Sequence, residues 1–263
     1  MYESNQIEHM QRFPSPHPHI KLFVVSYRSD GLLVKGLLAV PDHEDELPGL
    51  LYLRGGIKQV GKVRISRVIQ FASRGFVVFA PHYRGNEGGE GFEDFCGEDR
   101  NDAFSALQVL ESLSCTDSGD LHVFGFSRGG PMALFTAAQF PHMIQSVVVW
   151  GGVTDMKLTY EERHSLRKMM KRVVGGSVYK YPERYEWRTP LTEVSKFKAP
   201  VLIIHGVYDE NVSIKHAYLL EEELKSNDRS YETWYIQDDH HFNPEKKRQV
   251  THDLCDWMKN QKE

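Results

Sequence analysis

Ser127 stands at the centre of Gly125-Phe126-Ser127-Arg128-Gly129, preceded by an apolar run, Leu121 to Phe126, and followed by a helix-like stretch, Met132 to Gln139. Strand, sharp turn and helix in that order lift a serine hydroxyl above a sheet, and glycines two before and two after it let strand and helix close on each other. A plain glycine-rich turn would also account for the pentapeptide, so the chemistry depends on partners elsewhere. Serine is a poor nucleophile unless a base takes its proton, and a third group must orient that base. Asp209, a few residues after the apolar run Val201 to Gly206, is the leading acid; Glu210 and Asp155 are its rivals, and a turn aspartate capping the next helix is the purely structural reading. For the base, His240 and His241 lie side by side before Pro244, and spacing does not choose between them. Asp238, Asp239 and the two histidines read less well as metal ligands, because neighbouring side chains on extended backbone point opposite ways.

Acyl transfer also needs two N–H donors where negative charge develops on the attacked carbonyl. The backbone of Arg128, just after the serine, is the first. The second is expected from the loop after Gly49–Leu53, where Gly55 and Gly56 let the backbone approach a substrate closely.

These residues must be carried by strand ends, and the chain supplies the strands. Short apolar runs, as expected of strands covered on both faces, recur at Gly49–Leu53, Phe76–Ala80, Val147–Trp150 and Pro200–Ile204, alternating with helical spacing at Val63–Ser73, Glu98–Leu113, Ser213–Lys225 and Pro244–Met258. That alternation predicts a parallel sheet with helices on both faces. Ile20–Arg28 and Leu32–Val40, joined through Ser29-Asp30-Gly31, predict an antiparallel hairpin at its entry, and Tyr231–Ile236 a last strand. The glycine-rich loop His82–Gly97 is long enough to be functional and leaves a parallel strand at the carboxyl edge, where such sheets bind ligands. Residues 153–198 break the rhythm and read as a cap-like insertion, the basic run Arg163–Arg172 being a solvated helix face.

With 263 residues, no repeat and no low-complexity tract, a single domain spanning residues 1–263 is expected, residues 1–19 forming an N-terminal lead. A formal charge of -4 gives no reason to expect a nucleic-acid or membrane partner. Cys96, Cys115 and Cys255 are widely spaced and odd in number, which suggests neither disulfides nor a zinc site. A reducing cytoplasm is the expected setting, since the start of the chain lacks the features of a secretion signal. His17-Pro18-His19 reads as extended lead rather than a metal pair.

Taken jointly, Arg54-Gly55-Gly56, Tyr83-Arg84-Gly85, the Gly97-Glu98-Asp99 and Asp102 helix start, Gly125 to Gly130, Ala199 to Gly206 with Asp209, and His240-His241-Phe242 resemble the α/β-hydrolase superfamily. Within it the chain is similar to the catalytic domain of the prolyl oligopeptidase family of serine peptidases, from about Leu32 to the C-terminus. The resemblance implies an α/β-hydrolase fold with a mostly parallel eight-stranded sheet, helices on both faces and a small cap. It implies a catalytic Ser127, Asp209 and His240, since the family's Gly-His-Gly-Phe places the catalytic histidine at His240, with the N–H groups of Arg128 and Gly56 as the oxyanion hole. Arg54 stands where the family usually has His or Tyr. Oligopeptidases of the family carry a β-propeller ahead of this domain, and only a few dozen residues precede the sheet here, whereas ester hydrolysis needs only the triad and oxyanion hole. The expectation is therefore a carboxylesterase-like serine hydrolase of small esters or amides without cofactor or metal; a peptidase of short peptides and a non-catalytic hydrolase-fold binding protein are the alternatives.

Overall fold

The computed structural model of the chain describes residues 7–58 and 60–261. Its centre is a nine-stranded sheet. The strands are β1 (Ile7–Phe13), β2 (Ile20–Ser29), β3 (Leu32–Pro41), β4 (Leu47–Leu53), β5 (Val77–Pro81), β6 (Thr116–Phe126), β7 (Ile144–Trp150), β8 (Val201–Gly206) and β9 (Tyr231–Ile236), in the sheet order β1-β2-β3-β5-β4-β6-β7-β8-β9. From β5 through β9 every pairing is parallel, while β1, β2, β3 and β5 pair antiparallel. The inner parallel strands carry apolar runs because both faces are covered: every residue of β5 and of β8 is buried.

Nine strands replace the eight expected. The additional one, β1, lies in the stretch expected to be an N-terminal lead, of which residues 1–6 fall outside the described residues; it pairs antiparallel with β2 at the edge of the sheet. Half of an edge strand faces water, so Ile7, Met10 and Phe13 alone turn partly inward and the remaining residues are polar. Beyond it, His17 and His19 sit in the turn to β2, the N–H of His19 donating to His17 Nδ1 at 3.3 Å.

One face of the sheet is covered by α1 (Ile65–Ala72) and α8 (Pro244–Lys259), which bury Val68, Phe71, Leu254 and Met258 against Leu50, Phe124, Trp150 and Leu202. The other face carries α2 (Asn101–Glu111), α3 (Gly129–Gln139) and α7 (Lys215–Ser226). The helix expected from Glu98 opens as a 3-10 turn over Glu98–Arg100 before α2 begins.

Between β7 and β8 the chain forms α4 (Met156–Glu162), α5 (Arg167–Val174) and α6 (Pro182–Glu186). On α5, Lys168, Lys171 and Arg172 are exposed, as a solvated face requires. This segment is fastened to the long loop after β5: Arg188 pairs with Asp94 at 3.0 Å, and the Arg100 guanidinium lies between the rings of Phe135 at 4.0 Å and Trp187 at 4.2 Å. Stacked, hydrogen-bonded guanidinium groups hold two segments at a set distance, and here they hold the segment between β7 and β8 against the loop.

Candidate active site

The turn between β6 and α3 is built by close approach. A Cβ on Gly129 would lie 2.0 Å from the carbonyl oxygen of Leu53, and one on Gly125 would lie 2.2 Å from that of Gly129, so only glycine fits there. Ser127 itself sits at φ 55°, in the left-handed region that non-glycine residues rarely occupy. Its N–H donates to the carbonyl of Trp150 at 3.0 Å, and its carbonyl accepts from the N–H groups of Gly130 at 2.9 Å and Val153 at 3.1 Å. Those bonds pin the turn to the end of β7 and leave the N–H of Arg128 outside them.

Asp209 follows β8 and is buried. Its Oδ1 accepts the N–H groups of Asn211 and Val212, each at 2.8 Å, which closes the turn into α7. Its Oδ2 lies 2.6 Å from Nδ1 of His240. The turn aspartate and the histidine partner are therefore the same residue. Burial pushes its carboxyl up, but the hydrogen bond and charge of His240, with the N–H of Val212, outweigh that and hold it below the usual carboxylate range. Its rivals do other things: Glu210 is exposed, and Asp155 caps α4 by accepting the N–H of Leu158 at 2.9 Å.

Of the two adjacent histidines, His240 is buried and His241 exposed. The His240 ring lies 4.8 Å from the ring of Phe126, the residue before Ser127. A Cβ on Gly151, which follows β7, would lie 3.2 Å from His240 and 3.4 Å from Asp209. The ends of β6, β7, β8 and β9 thus bring Ser127, Asp209 and His240 to one edge of the sheet.

The loop after β4 lies against the serine, since a Cβ on Gly55 would sit 2.8 Å from Cβ of Ser127. Gly56 is held at φ 69°, its carbonyl accepting from Nη1 of Arg128 at 2.8 Å.

Sequence reasoning missed the side chains behind this loop. Arg128 is 1 % exposed, and its guanidinium pairs with Glu93 at 2.6 Å and with Asp99. Asp99 in turn accepts the N–H groups of Asp94, Phe95 and Cys96, the last two at positive φ. Arg54 is buried beside them, donating to Glu93 at 2.8 Å and to the carbonyl of Gly55 at 3.1 Å. A second buried histidine, His205, was read only as part of β8; its Nε2 lies 2.8 Å from the carbonyl of Val212 and 3.6 Å from Asp209. Burial lowers its pKa. Arg54, Asp99 and Arg128 stood in the blocks that carry the resemblance, but nothing in the sequence indicated that their side chains form one set of ion pairs with Glu93.

Among the described residues no group of three or more His, Cys, Asp or Glu side chains is placed to hold a metal ion, and no helix is long and apolar enough to cross a membrane. The family model described as "Prolyl oligopeptidase family" matches residues 62–263. The chain belongs to that family. As a member of the prolyl oligopeptidase family it is a serine hydrolase. It is 57% identical over 251 residues to a protein of Bacillus subtilis (strain 168) named "Uncharacterized peptidase YtmA", with 95% of this chain and 98% of that one covered. Dipeptidyl-peptidase 5 of Porphyromonas endodontalis is 22% identical over 76% of this chain, which spans only 31% of that protein. Among solved structures, uncomplexed Pyrococcus horikoshii acylaminoacyl peptidase matches with a TM-score of 0.80 at 18% identity, over 94% of this chain and 42% of that one. An acetyl xylan esterase from Paenibacillus sp. R4 matches with a TM-score of 0.76 at 17% identity, over 95% of this chain and 89% of that one. At such identities the two structures share the fold.

Proposed function

We propose that this member of the prolyl oligopeptidase family is a serine peptidase of short peptides, with Ser127 as nucleophile, His240 as base and Asp209 as the group that orients it. The observation that carries the assignment is the 2.6 Å hydrogen bond between Asp209 Oδ2 and His240 Nδ1, at the sheet edge where the turn holds Ser127 at positive φ. With Nδ1 occupied by the carboxylate, Nε2 is the nitrogen free to take a proton from the serine hydroxyl. The Ser127 oxygen then bonds to the substrate carbonyl carbon, and the carbonyl oxygen becomes an oxyanion facing the N–H groups of Arg128 and Gly56. Collapse expels the amine, which receives its proton from His240; water repeats the sequence on the acyl-enzyme and regenerates the serine.

Peptide bonds are favoured over carboxylic esters by the family itself and by the near full-length relative, which is named a peptidase. Small activated esters remain accessible to the same acyl-enzyme chemistry. We further read residues 1–263 as one catalytic domain in which residues 153–198 cap the site. The discriminating experiment is a panel of aminoacyl and dipeptidyl anilides run beside p-nitrophenyl esters. Turnover of the anilides, abolished by Ser127→Ala, is the expected result; ester turnover with no anilide cleavage would contradict the peptidase reading.

A further inference from the structure

We propose that Glu93 is a positioning residue for the oxyanion hole, fixing the Gly55–Lys58 loop relative to the serine turn; this rests on the reading of Ser127 as nucleophile. The Glu93 side chain is 1% exposed and bonds three groups from two different segments. Oε1 accepts from Arg54 Nη2 at 2.8 Å and from Arg128 Nη1 at 2.6 Å, while Oε2 accepts the backbone N–H of Lys58 at 2.5 Å. Each arginine also grips a loop carbonyl: Arg54 that of Gly55 at 3.1 Å, Arg128 that of Gly56 at 2.8 Å. The loop bearing one expected oxyanion donor and the side chain of the residue bearing the other are thereby tied to a single carboxylate.

Charge makes that tie indispensable to the local geometry. The Arg54 and Arg128 guanidinium groups both lie over the Tyr83 ring, at 4.9 and 5.0 Å from its centroid, and both are buried. Two desolvated cations so near each other repel unless an anion stands between them. Burial alone would push the Glu93 carboxyl up; the two guanidinium groups and the Lys58 N–H hold it below its ordinary value, so it stays ionised in this place. Arg128 keeps Asp99 as a second partner, whereas Arg54 has Glu93 as its carboxylate among the described residues. Neutralising Glu93 therefore releases the Arg54 and Lys58 side of the loop first. Oxyanion donors act through preorganisation, and a displacement of about 1 Å can cost on the order of 10²-fold in rate.

The test is Glu93→Gln, which keeps the shape and removes the charge, in a protein whose wild type is first shown to be labelled at Ser127 by a fluorophosphonate. The expected result is a roughly 10- to 100-fold fall in kcat with KM held within about twofold. Affinity for a peptide boronic acid should fall in parallel with kcat/KM, and the midpoint of the pH–rate profile should stay in place because the Asp209–His240 pair is untouched. Wild-type kcat would overturn the inference, and so would KM and the pH midpoint moving together with kcat, which a general loosening produces. Should Glu93→Gln fail to fold, Arg54→Met, which leaves Glu93 paired with Arg128, carries the test: a smaller fall in kcat at constant KM is expected, and unchanged kcat overturns the proposal. A wild type not labelled at Ser127 overturns the serine assignment itself, and this inference with it.

Discussion

The carboxylate of Asp209 gives one oxygen to the turn into α7 and the other to Nδ1 of His240, 2.6 Å away. An aspartate bound by two backbone N–H groups cannot swing, so the histidine it holds is fixed in tautomer and direction. Asp209→Asn keeps an oxygen for the turn and loses the charge. Its kcat should fall on the order of 10³- to 10⁴-fold with KM little changed, measured on the best anilide or ester found. A loss below about tenfold would separate Asp209 from the chemistry.

The adjacent histidines make a paired prediction. His240 is buried against Asp209 and Phe126; His241 is exposed, with a ring 4.9 Å from that of His240. His240→Gln should abolish turnover, whereas His241→Gln should retain it within about an order of magnitude. Equal losses in the two variants would contradict the assignment of the base.

At the serine turn, Gly129→Ala sets a Cβ 2.0 Å from the Leu53 carbonyl oxygen, a backbone atom between two core strands that cannot yield cheaply. The expected cost is about 3 kcal/mol or more, read as a lowered denaturation midpoint or loss of soluble protein. A variant as stable as the parent would show that the strand–helix approach is looser than described.

Stability should also depend on pH through His216. This buried imidazole accepts the N–H groups of Thr154 at 3.2 Å and Asp155 at 3.3 Å, and burial pushes its pKa down to about 4. Its unfolded value is about 6.5. Between those pH values the unfolded chain binds a proton that the folded chain does not, so stability rises with pH across that window. As pH falls from about 6.5 toward 4, up to about 3 kcal/mol is lost from this group. Denaturant unfolding of wild type and His216→Gln at a series of pH values measures it: the variant should be less stable near pH 7 and show a shallower slope below about 6.5. An unchanged slope would contradict the account.

How much of this was legible in the sequence follows from what each residue depends on. Val77–Pro81 and residues 201–204 are apolar throughout because both faces of a parallel strand are buried, and that pattern is local. The order serine, acid, histidine after β6, β8 and β9 can be read along the chain without knowing which strands are neighbours. The strand Ile7–Phe13 was hidden because an edge strand turns few apolar residues inward, and its neighbourhood is punctuated by Pro14, Pro16 and Pro18. The choice between His240 and His241 needed either a resemblance or the position of Asp209, 31 residues away. The pairing of Glu93 with Arg54 and Arg128 was beyond any pattern, since it joins residues 39 and 35 positions apart. Length and glycine content marked the loop His82–Gly97 as functional without naming a partner for Glu93.

The central claim is that Ser127 is the nucleophile that the turn, His240 and Asp209 activate. Reaction with a fluorophosphonate, digestion and mass mapping of the adduct test it most directly. The account predicts a single stoichiometric adduct on Ser127, absent in Ser127→Ala and slowed in Asp209→Asn; an adduct on another residue, or none on the active protein, would contradict it.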